Sequence, residues 1–534
     1  MTASLEKFRS EFIDREIFER EVLQAYADGS AEACLPADRA VALSWMPPAT
    51  GALRDFSTIA PDLPLLEAEK CVGCMECVTQ CPDTAILAKV VPASGHAALA
   101  EKLKTAKHGD FIAGQFARTT KYFDVPARKG KEGGMFYLIT DPGKCKGCGE
   151  CVAACGDHQA LRMIPKTDTN LGQYRAATTL YRELSDTPRD YIQDKVLSDM
   201  MLQESTHLYC GGAASCMGCG EATAIRMMLT ATAFVHGENS MGIVAATGCN
   251  TVFGSTYPYN PYRVPWTNSL FENAPAVAMG IRAEWNARGM KDKRLWVLGG
   301  DGAMLDIGFQ SLSRMLMSGM DIKVLVLDTQ VYSNTGGQAS TSTFLSQDSK
   351  MSGYGKTQHG KSERRKELAQ IAMMHPDVFV AQTTAAHINH FYRAIIAANA
   401  YPGPAVVVVY APCMPEHGIG DDAAFGQAKL AVDARAFPLL VYDPRAGESL
   451  KERLSLQGNP ARKDDWYVTP KGETVDFTTF ARTEGRFAKH FDKDGNPSPE
   501  LFKAQEDRLK NWRLLQELAG VRPPEKCARD GAVT

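Results

Sequence analysis

The sequence predicts an α/β protein in which a mostly parallel sheet carries helices on both faces, with a small α+β unit ahead of it. Three observations predict this. From about residue 200 to 430, apolar strand-like runs alternate with helical segments, as in a parallel sheet covered on both sides. Upstream, eight of the fifteen cysteines crowd into two short runs of identical spacing, a density suited to a small domain built around its ligands. At 534 residues, 44% hydrophobic and 23% charged, the chain can bury a sizeable core in about two to four domains.

Residues 1–60 are expected to form a helical linking arm. Leu5, Phe8 and Phe12 recur at helical spacing, and Pro47-Pro48-Ala49-Thr50-Gly51 leads the chain away. Residues 61–170 hold the two cysteine runs: Cys71, Cys74, Cys77 and Cys81, then Cys145, Cys148, Cys151 and Cys155, each in C-x2-C-x2-C-x3-C order. A thiolate at every third residue lets one tight loop wrap a [4Fe–4S] cube, while the fourth cysteine is displaced toward a neighbouring cluster. The spacing therefore pairs Cys155 with Cys71, Cys74 and Cys77, and Cys81 with Cys145, Cys148 and Cys151. Structural zinc is the alternative, but zinc sites usually use two separated C-x2-C pairs. The 63 residues between the runs read as a surface loop around the basic stretch Lys121–Lys131. A second reading makes that stretch a docking site for an acidic electron carrier.

Residues 171–430 are the main α/β domain. Arg294-Leu-Trp-Val-Leu-Gly, Ile322-Lys-Val-Leu-Val-Leu and Ala405-Val-Val-Val-Val-Tyr read as buried strands. The first runs into Gly299-Gly300-Asp301-Gly302, and 27 residues after Asp301 begins Asp328-Thr329-Gln330-Val331-Tyr332-Ser333-Asn334-Thr335-Gly336-Gly337. Glycines let backbone approach phosphate oxygens, while a carboxylate and further oxygens hold Mg2+ in an octahedron. Gly-Asp-Gly alone is commonplace in turns. The order strand, Gly-Asp-Gly, helix, strand, polar glycine loop is more specific, and resembles the diphosphate-binding half of thiamine diphosphate enzymes. Thr329 stands where many of them have Asn. Four more cysteines, Cys216, Cys219, Cys249 and Cys413, lie in polar loops, the last two each after a strand-like segment. A third [4Fe–4S] cluster accounts for the four together better than separate core positions do. Residues 431–534 read as a polar C-terminal arm, helical around Ala504–Ala519.

The bulk properties exclude other classes. A net charge of −3 is too near neutral for a nucleic-acid surface. The longest apolar stretch, near Ala405–Ala411, is too short to cross a bilayer, and the charged amino terminus lacks the apolar core of a signal peptide. Cysteines used as metal ligands fit a reducing, cytoplasmic interior. No nucleic acid and no membrane are expected as partners.

Three phrases, Gly300-Asp-Gly-Ala-Met-Leu-Asp-Ile-Gly, Val331-Tyr-Ser-Asn-Thr-Gly-Gly-Gln and Cys219-Gly-Glu221, resemble the wording of pyruvate:ferredoxin oxidoreductases in the 2-oxoacid:acceptor oxidoreductase superfamily. The likeness covers roughly residues 60–520 and corresponds to the ferredoxin-like and thiamine-binding domains of the single-chain enzymes. It implies Mg2+ held by Asp301, Thr329 and the Val331 carbonyl, with Gly300, Gly302 and Ala303 along the diphosphate. Glu221 and Cys249 would lie against the cofactor, and Asn334 would point at the reacting centre. Cys216, Cys219, Cys249 and Cys413 would hold the cluster nearest thiamine, with Cys210 as a rival ligand. The implied reaction is reversible: pyruvate, coenzyme A and oxidised ferredoxin give acetyl-CoA, CO2 and reduced ferredoxin. 2-Oxoglutarate is the runner-up substrate, and a purely electron-transferring iron–sulfur subunit the runner-up role. The carrier would be ferredoxin or flavodoxin. No second α/β unit precedes the cysteine runs, so the pyrimidine-binding and substrate-binding domains are expected on a partner subunit, in a dimer of heteromers.

Overall fold

The computed structural model describes residues 14–33, 39–43 and 45–523. Leu5, Phe8, Phe12, Cys34 and Cys527 lie outside the described residues. The chain clusters into two compact units, one containing residues up to Met217 with 233–243 and 249–267, the other the remainder. The expected linking arm and cysteine runs fall in the first and the C-terminal arm in the second, while the main α/β span contributes to both.

In the first unit, strand β1 (Asp62–Leu66) pairs antiparallel with β5 (Leu161–Pro165). Strands β2 (Ile86–Pro92), β4 (Gly134–Thr140) and β3 (Phe116–Ala117) form an antiparallel sheet in that order. The helix Asp168–Glu183 starts at a capping box made by Thr167 and Asn170. It buries Ala177 and Tyr181 in a core with Val91, Phe116, Tyr137 and Ile139. A short helix follows the first two cysteines of each run, Glu76–Gln80 carrying Cys77 in the first and Glu150–Cys155 carrying Cys151 and Cys155 in the second.

The segment between the runs departs from the expected surface loop. It supplies β2, β3, β4 and the helix Ala93–Leu103. Within its basic stretch Tyr122 is only 1% exposed and stacks on Phe136 at 5.4 Å. Lys121 pairs with the buried Asp199 at 2.5 Å and donates to the Gly73 carbonyl at 3.1 Å. Charge density suggested solvent, but Lys121 has a buried partner and the aromatics beside it supply the burial. Residues 127–131 alone of that stretch are exposed.

The second unit holds most of an eight-stranded sheet. Its further strands are β6 (Met241–Ala246), β7 (Trp266–Ser269), β8 (Arg294–Gly300), β9 (Lys323–Asp328), β10 (Phe379–Thr384), β11 (Ala405–Tyr410), β12 (Leu440–Tyr442) and β13 (Leu454–Ser455). They lie in the order β13-β12-β10-β11-β9-β8-β6-β7. β8, β9, β11 and β10 are parallel neighbours, and antiparallel β12 and β13 finish one edge. Every residue of β9, β10 and β11 is buried, which is why these strands read as continuous apolar runs rather than alternating ones. Register brings their carboxyl ends level: Gly300 sits opposite Leu327, and Asp328 opposite Tyr410. The loops after β8, β9 and β11 therefore leave the sheet side by side, where parallel sheets bind ligands.

The C-terminal arm is part of this unit's core. Phe477, Phe480 and Phe487 gather round Phe344 with centroids 5.4, 6.0 and 6.4 Å away. The helix Pro499–Leu518 buries Leu501, Trp512 and Leu515. Among the described residues no helix is long and apolar enough to cross a membrane.

Candidate cofactor sites

The two cysteine runs build two cavities by exchanging their last members. Cys71, Cys74, Cys77 and Cys155 line one. Cys81, Cys145, Cys148 and Cys151 line the other. Four cysteines round each cavity, with the last of each run exchanged, is the ligand pattern of paired [4Fe–4S] cubes, whereas structural zinc usually takes two separated C-x2-C pairs. Both loops take the same backbone path. Gly73 and Met75 have φ of +70° and +70°, and their counterparts Gly147 and Gly149 have +79° and +85°. Left-handed residues at these places turn successive N–H groups toward sulfur, as a nest does for an anion. The Ala85 N–H donates to Cys81 Sγ at 3.3 Å, and the Ala160 N–H donates to Cys155 Sγ at 3.2 Å. Burial pushes the Cys71 thiol up to about 11 and Cys148 up to about 12, so a metal must displace protons to bind.

The loop after β8 carries Asp301, which is buried. Its Oδ1 accepts hydrogen bonds from Thr329 N–H at 3.3 Å and Oγ1 at 3.1 Å, and Thr329 Oγ1 also lies 3.1 Å from the Val331 carbonyl. In an octahedron with Mg–O bonds of about 2.0–2.1 Å, adjacent ligand oxygens are about 2.9 Å apart. The Asp301, Thr329 and Val331 oxygens already stand close to that spacing. Burial and the nearby Asp328 push the Asp301 carboxyl up to about 7. A cation there would hold it ionised, so the donor set fits Mg2+.

Around this set the loop is braced on all sides. The Ser340 hydroxyl donates to Asp301 Oδ2. Lys361 Nζ donates to the carbonyls of Ser340, Thr341 and Thr343 at 3.1, 3.3 and 2.9 Å. Arg365 pairs with Asp328 at 2.7 Å, each side chain 1% exposed. His417 is buried and neutral: burial and Arg486 drive its pKa far down, Nε2 donates to the Thr329 carbonyl at 2.8 Å, and Nδ1 accepts from Cys413 N–H at 3.4 Å. Arg486, held by Glu484 at 2.5 Å, donates to Gln330 Oε1 at 3.0 Å and Gln347 Oε1 at 3.2 Å. His490 Nε2 donates to the Ser346 carbonyl at 2.6 Å.

The remaining expected residues are placed as follows. A side chain at Gly300 would meet only the Leu327 carbonyl, at 3.8 Å, so that face is open. At Gly302 the space is filled by the Tyr332 ring, whose hydroxyl donates to Asp306 at 2.7 Å; packing, not only phosphate, demands glycine here. Ala303 is buried beside it and Asn334 is exposed on the turn that ends at Gly337. Glu221 is buried in the first turn of the helix Gly220–His236. Of the four later cysteines, Cys219 and Cys413 lie in the second unit and Cys216 and Cys249 in the first. The glycines flanking Cys219 abut the residues flanking Cys413: a Cβ at Gly220 would meet Pro412 at 2.6 Å, and one at Gly218 would lie 3.4 Å from Met414 Sδ. Cys210 Sγ points at the Ala49 carbonyl, 3.8 Å away.

Sequence reasoning missed Ser340, Lys361, Arg365, His417 and Arg486. Lys361-Ser-Glu-Arg-Arg-Lys-Glu reads as a solvated charge run, and no local pattern marks Lys361 and Arg365 as buried. His417 and Arg486 contact the loop from 88 and 156 residues away in sequence.

Comparison with known proteins gives two family matches. Residues 246–409 match the thiamine pyrophosphate enzyme C-terminal TPP-binding domain, and residues 64–87 match the 4Fe-4S binding domain. A pyruvate-flavodoxin oxidoreductase of Rhodospirillum rubrum is 29% identical over 87% of this chain, which spans 42% of that protein. The pyruvate:ferredoxin oxidoreductase of Moorella thermoacetica is 27% identical over 86% of the chain, again spanning 42% of the relative. Pyruvate synthase subunit PorB of Pyrococcus furiosus is 32% identical over 59% of this chain and 95% of its own length. The chain thus spans less than half of the fused relatives and nearly all of the separate subunit.

Proposed function

The chain belongs to the family of pyruvate:ferredoxin and pyruvate-flavodoxin oxidoreductases, and from that premise we propose that it is the thiamine- and cluster-bearing part of an enzyme that oxidatively decarboxylates pyruvate. Coenzyme A is the acyl acceptor in this reading, and ferredoxin or flavodoxin takes the electrons. Thiamine diphosphate supplies the nucleophilic carbon and electron sink for decarboxylation, and the clusters accept electrons singly.

The observation that carries the proposal is the three-oxygen set of Asp301, Thr329 and Val331 in the same chain as two four-cysteine cavities. In this reading those oxygens hold Mg2+, and open Gly300, with Gly302 and Ala303, receives the diphosphate. His417 and Ser340 orient Thr329 and Asp301. Glu221 and Cys249 lie against the cofactor, and exposed Asn334 faces the reacting centre. Cys216, Cys219, Cys249 and Cys413 hold a third cluster. The carboxylate that activates the aminopyrimidine and the residues that clamp the substrate come from a partner subunit, and the whole assembles as a dimer of heteromers.

The test is reconstitution. Anaerobically purified with its partner, the chain should carry about 12 Fe and about 12 acid-labile sulfides. It should then reduce ferredoxin with pyruvate only when coenzyme A is present. Turnover of 2-oxoglutarate but not pyruvate would move the substrate assignment. Near eight Fe, unchanged by Cys216→Ala, would remove the third cluster. Full activity from the 534-residue chain alone would overturn the split site.

A further inference from the structure

Lys146 follows Cys145 in the second cluster loop, where the first loop has exposed Val72. It lines the second cavity yet is only 6% exposed, and it pairs with Asp83, 3% exposed, at 2.8 Å. Its ammonium also donates to the Ser215 carbonyl at 2.7 Å and to Ser215 Oγ at 2.9 Å. Ser215 Oγ in turn donates to Asp83 Oδ1 at 3.4 Å. Each of the three residues is a neighbour of a candidate ligand: Asp83 lies two after Cys81, Lys146 one after Cys145, and Ser215 one before Cys216. One buried ion pair therefore ties both strands of the second cluster's cradle to the segment carrying the first cysteine of the third.

We propose that Lys146 is a positioning residue for electron transfer, fastening the Cys216 segment to the second ferredoxin-type cluster and setting that cluster's potential with a fixed positive charge. The inference rests on the third cluster proposed above. One electron leaves the third cluster and one reduces the second, so the charge favours the acceptor's reduced, more negative form. A buried ammonium acts strongly here because water does not screen it. Asp83 opposes the effect but holds the ammonium in place.

The test uses the complete enzyme with its partner, reduced stepwise and followed by electron paramagnetic resonance. Lys146→Met should lower the second cluster's reduced-to-oxidised ratio at fixed poise by tenfold or more, about 59 mV for one electron, and leave the first cluster unmoved. Lys146→Arg should restore most of it. Lys146→Met alone strands a buried carboxylate, so Lys146→Met/Asp83→Asn serves as the second variant. It should keep its iron and return the potential toward the native value, yet weaken the magnetic interaction between reduced second and third clusters. If the single variant loses iron, the double variant decides. An unchanged interaction, or an unchanged potential in an iron-replete single variant, overturns the proposal. Cys216→Ala separates the two readings: unchanged iron removes the third cluster and this bridge with it, while loss of four irons with inert Lys146 variants removes the bridge alone.

Discussion

The two cluster loops share a backbone and differ in their surroundings. Cys71-Val-Gly-Cys74-Met-Glu-Cys77 and Cys145-Lys-Gly-Cys148-Gly-Glu-Cys151 put left-handed residues at the same two places. At the first loop Val72 is 43% exposed and Glu76 half-buried; at the second Lys146 and Glu150 are buried. Ligand geometry is set by spacing and turn conformation, so it repeats. What covers each loop differs, so the surroundings do not. In the proposed relay the loop with an exposed apolar residue would suit the exit to a soluble carrier, and the loop buried under an ion pair the interior step.

The comparison breaks most sharply at the exchanged cysteines. Cys155→Ser should empty the first cavity and Cys81→Ser the second, each with loss of about four irons from the total. If Cys155→Ser instead removed the signal of the second cluster, the pairing of loops with cavities would be wrong. Next in size is a control from the other unit. Asp301→Ala should abolish Mg2+-dependent thiamine diphosphate retention and leave the iron of both loops in place.

The same carboxylate gives a pH test. Its folded pKa of about 7 lies above the usual carboxylate value, so the metal-free protein gains stability as pH falls through 7 and the native state takes up a proton. Mg2+ competes with that proton. Its affinity should fall about tenfold for each pH unit below about 7, read by calorimetry at three pH values, while cluster absorbance stays flat.

Glycine substitutions come next. At Gly73 a Cβ would meet buried Tyr122 at 2.8 Å, and at Gly147 it would meet the Asp62 carbonyl at 3.1 Å. Alanine at either also takes a left-handed backbone, so both should cost about 1–3 kcal/mol in unfolding, with Gly73→Ala the larger. The smallest effect belongs to Val72→Glu. Exposed, it should shift unfolding by under about 0.5 kcal/mol. It should raise KM for an acidic carrier in a salt-sensitive way, and an unchanged KM would argue against an exit at the first loop.

Legibility followed the range of the interactions. The grouping of eight cysteines round two cavities was readable from their spacing, and β8, β9 and β11 from their apolar runs. That Asp301 and Thr329 come together was readable through their motif. The braces were not: Ser340, Arg365, His417 and Arg486 act through contacts that no local pattern encodes. The start of Lys121–Lys131 departs from the expected surface loop for the same reason, since Lys121 finds partners at Gly73 and Asp199, 48 and 78 residues away.

Arg486 and His490 have a consequence for synthesis. A nascent chain that has emerged as far as residue 430 contains the whole family-matched span 246–409 and both cysteine runs. It still lacks the guanidinium that holds Gln330 and Gln347 and the imidazole that holds the Ser346 carbonyl. The loop that would receive thiamine is therefore completed only by residues made near the end of synthesis, while both cysteine runs are present long before.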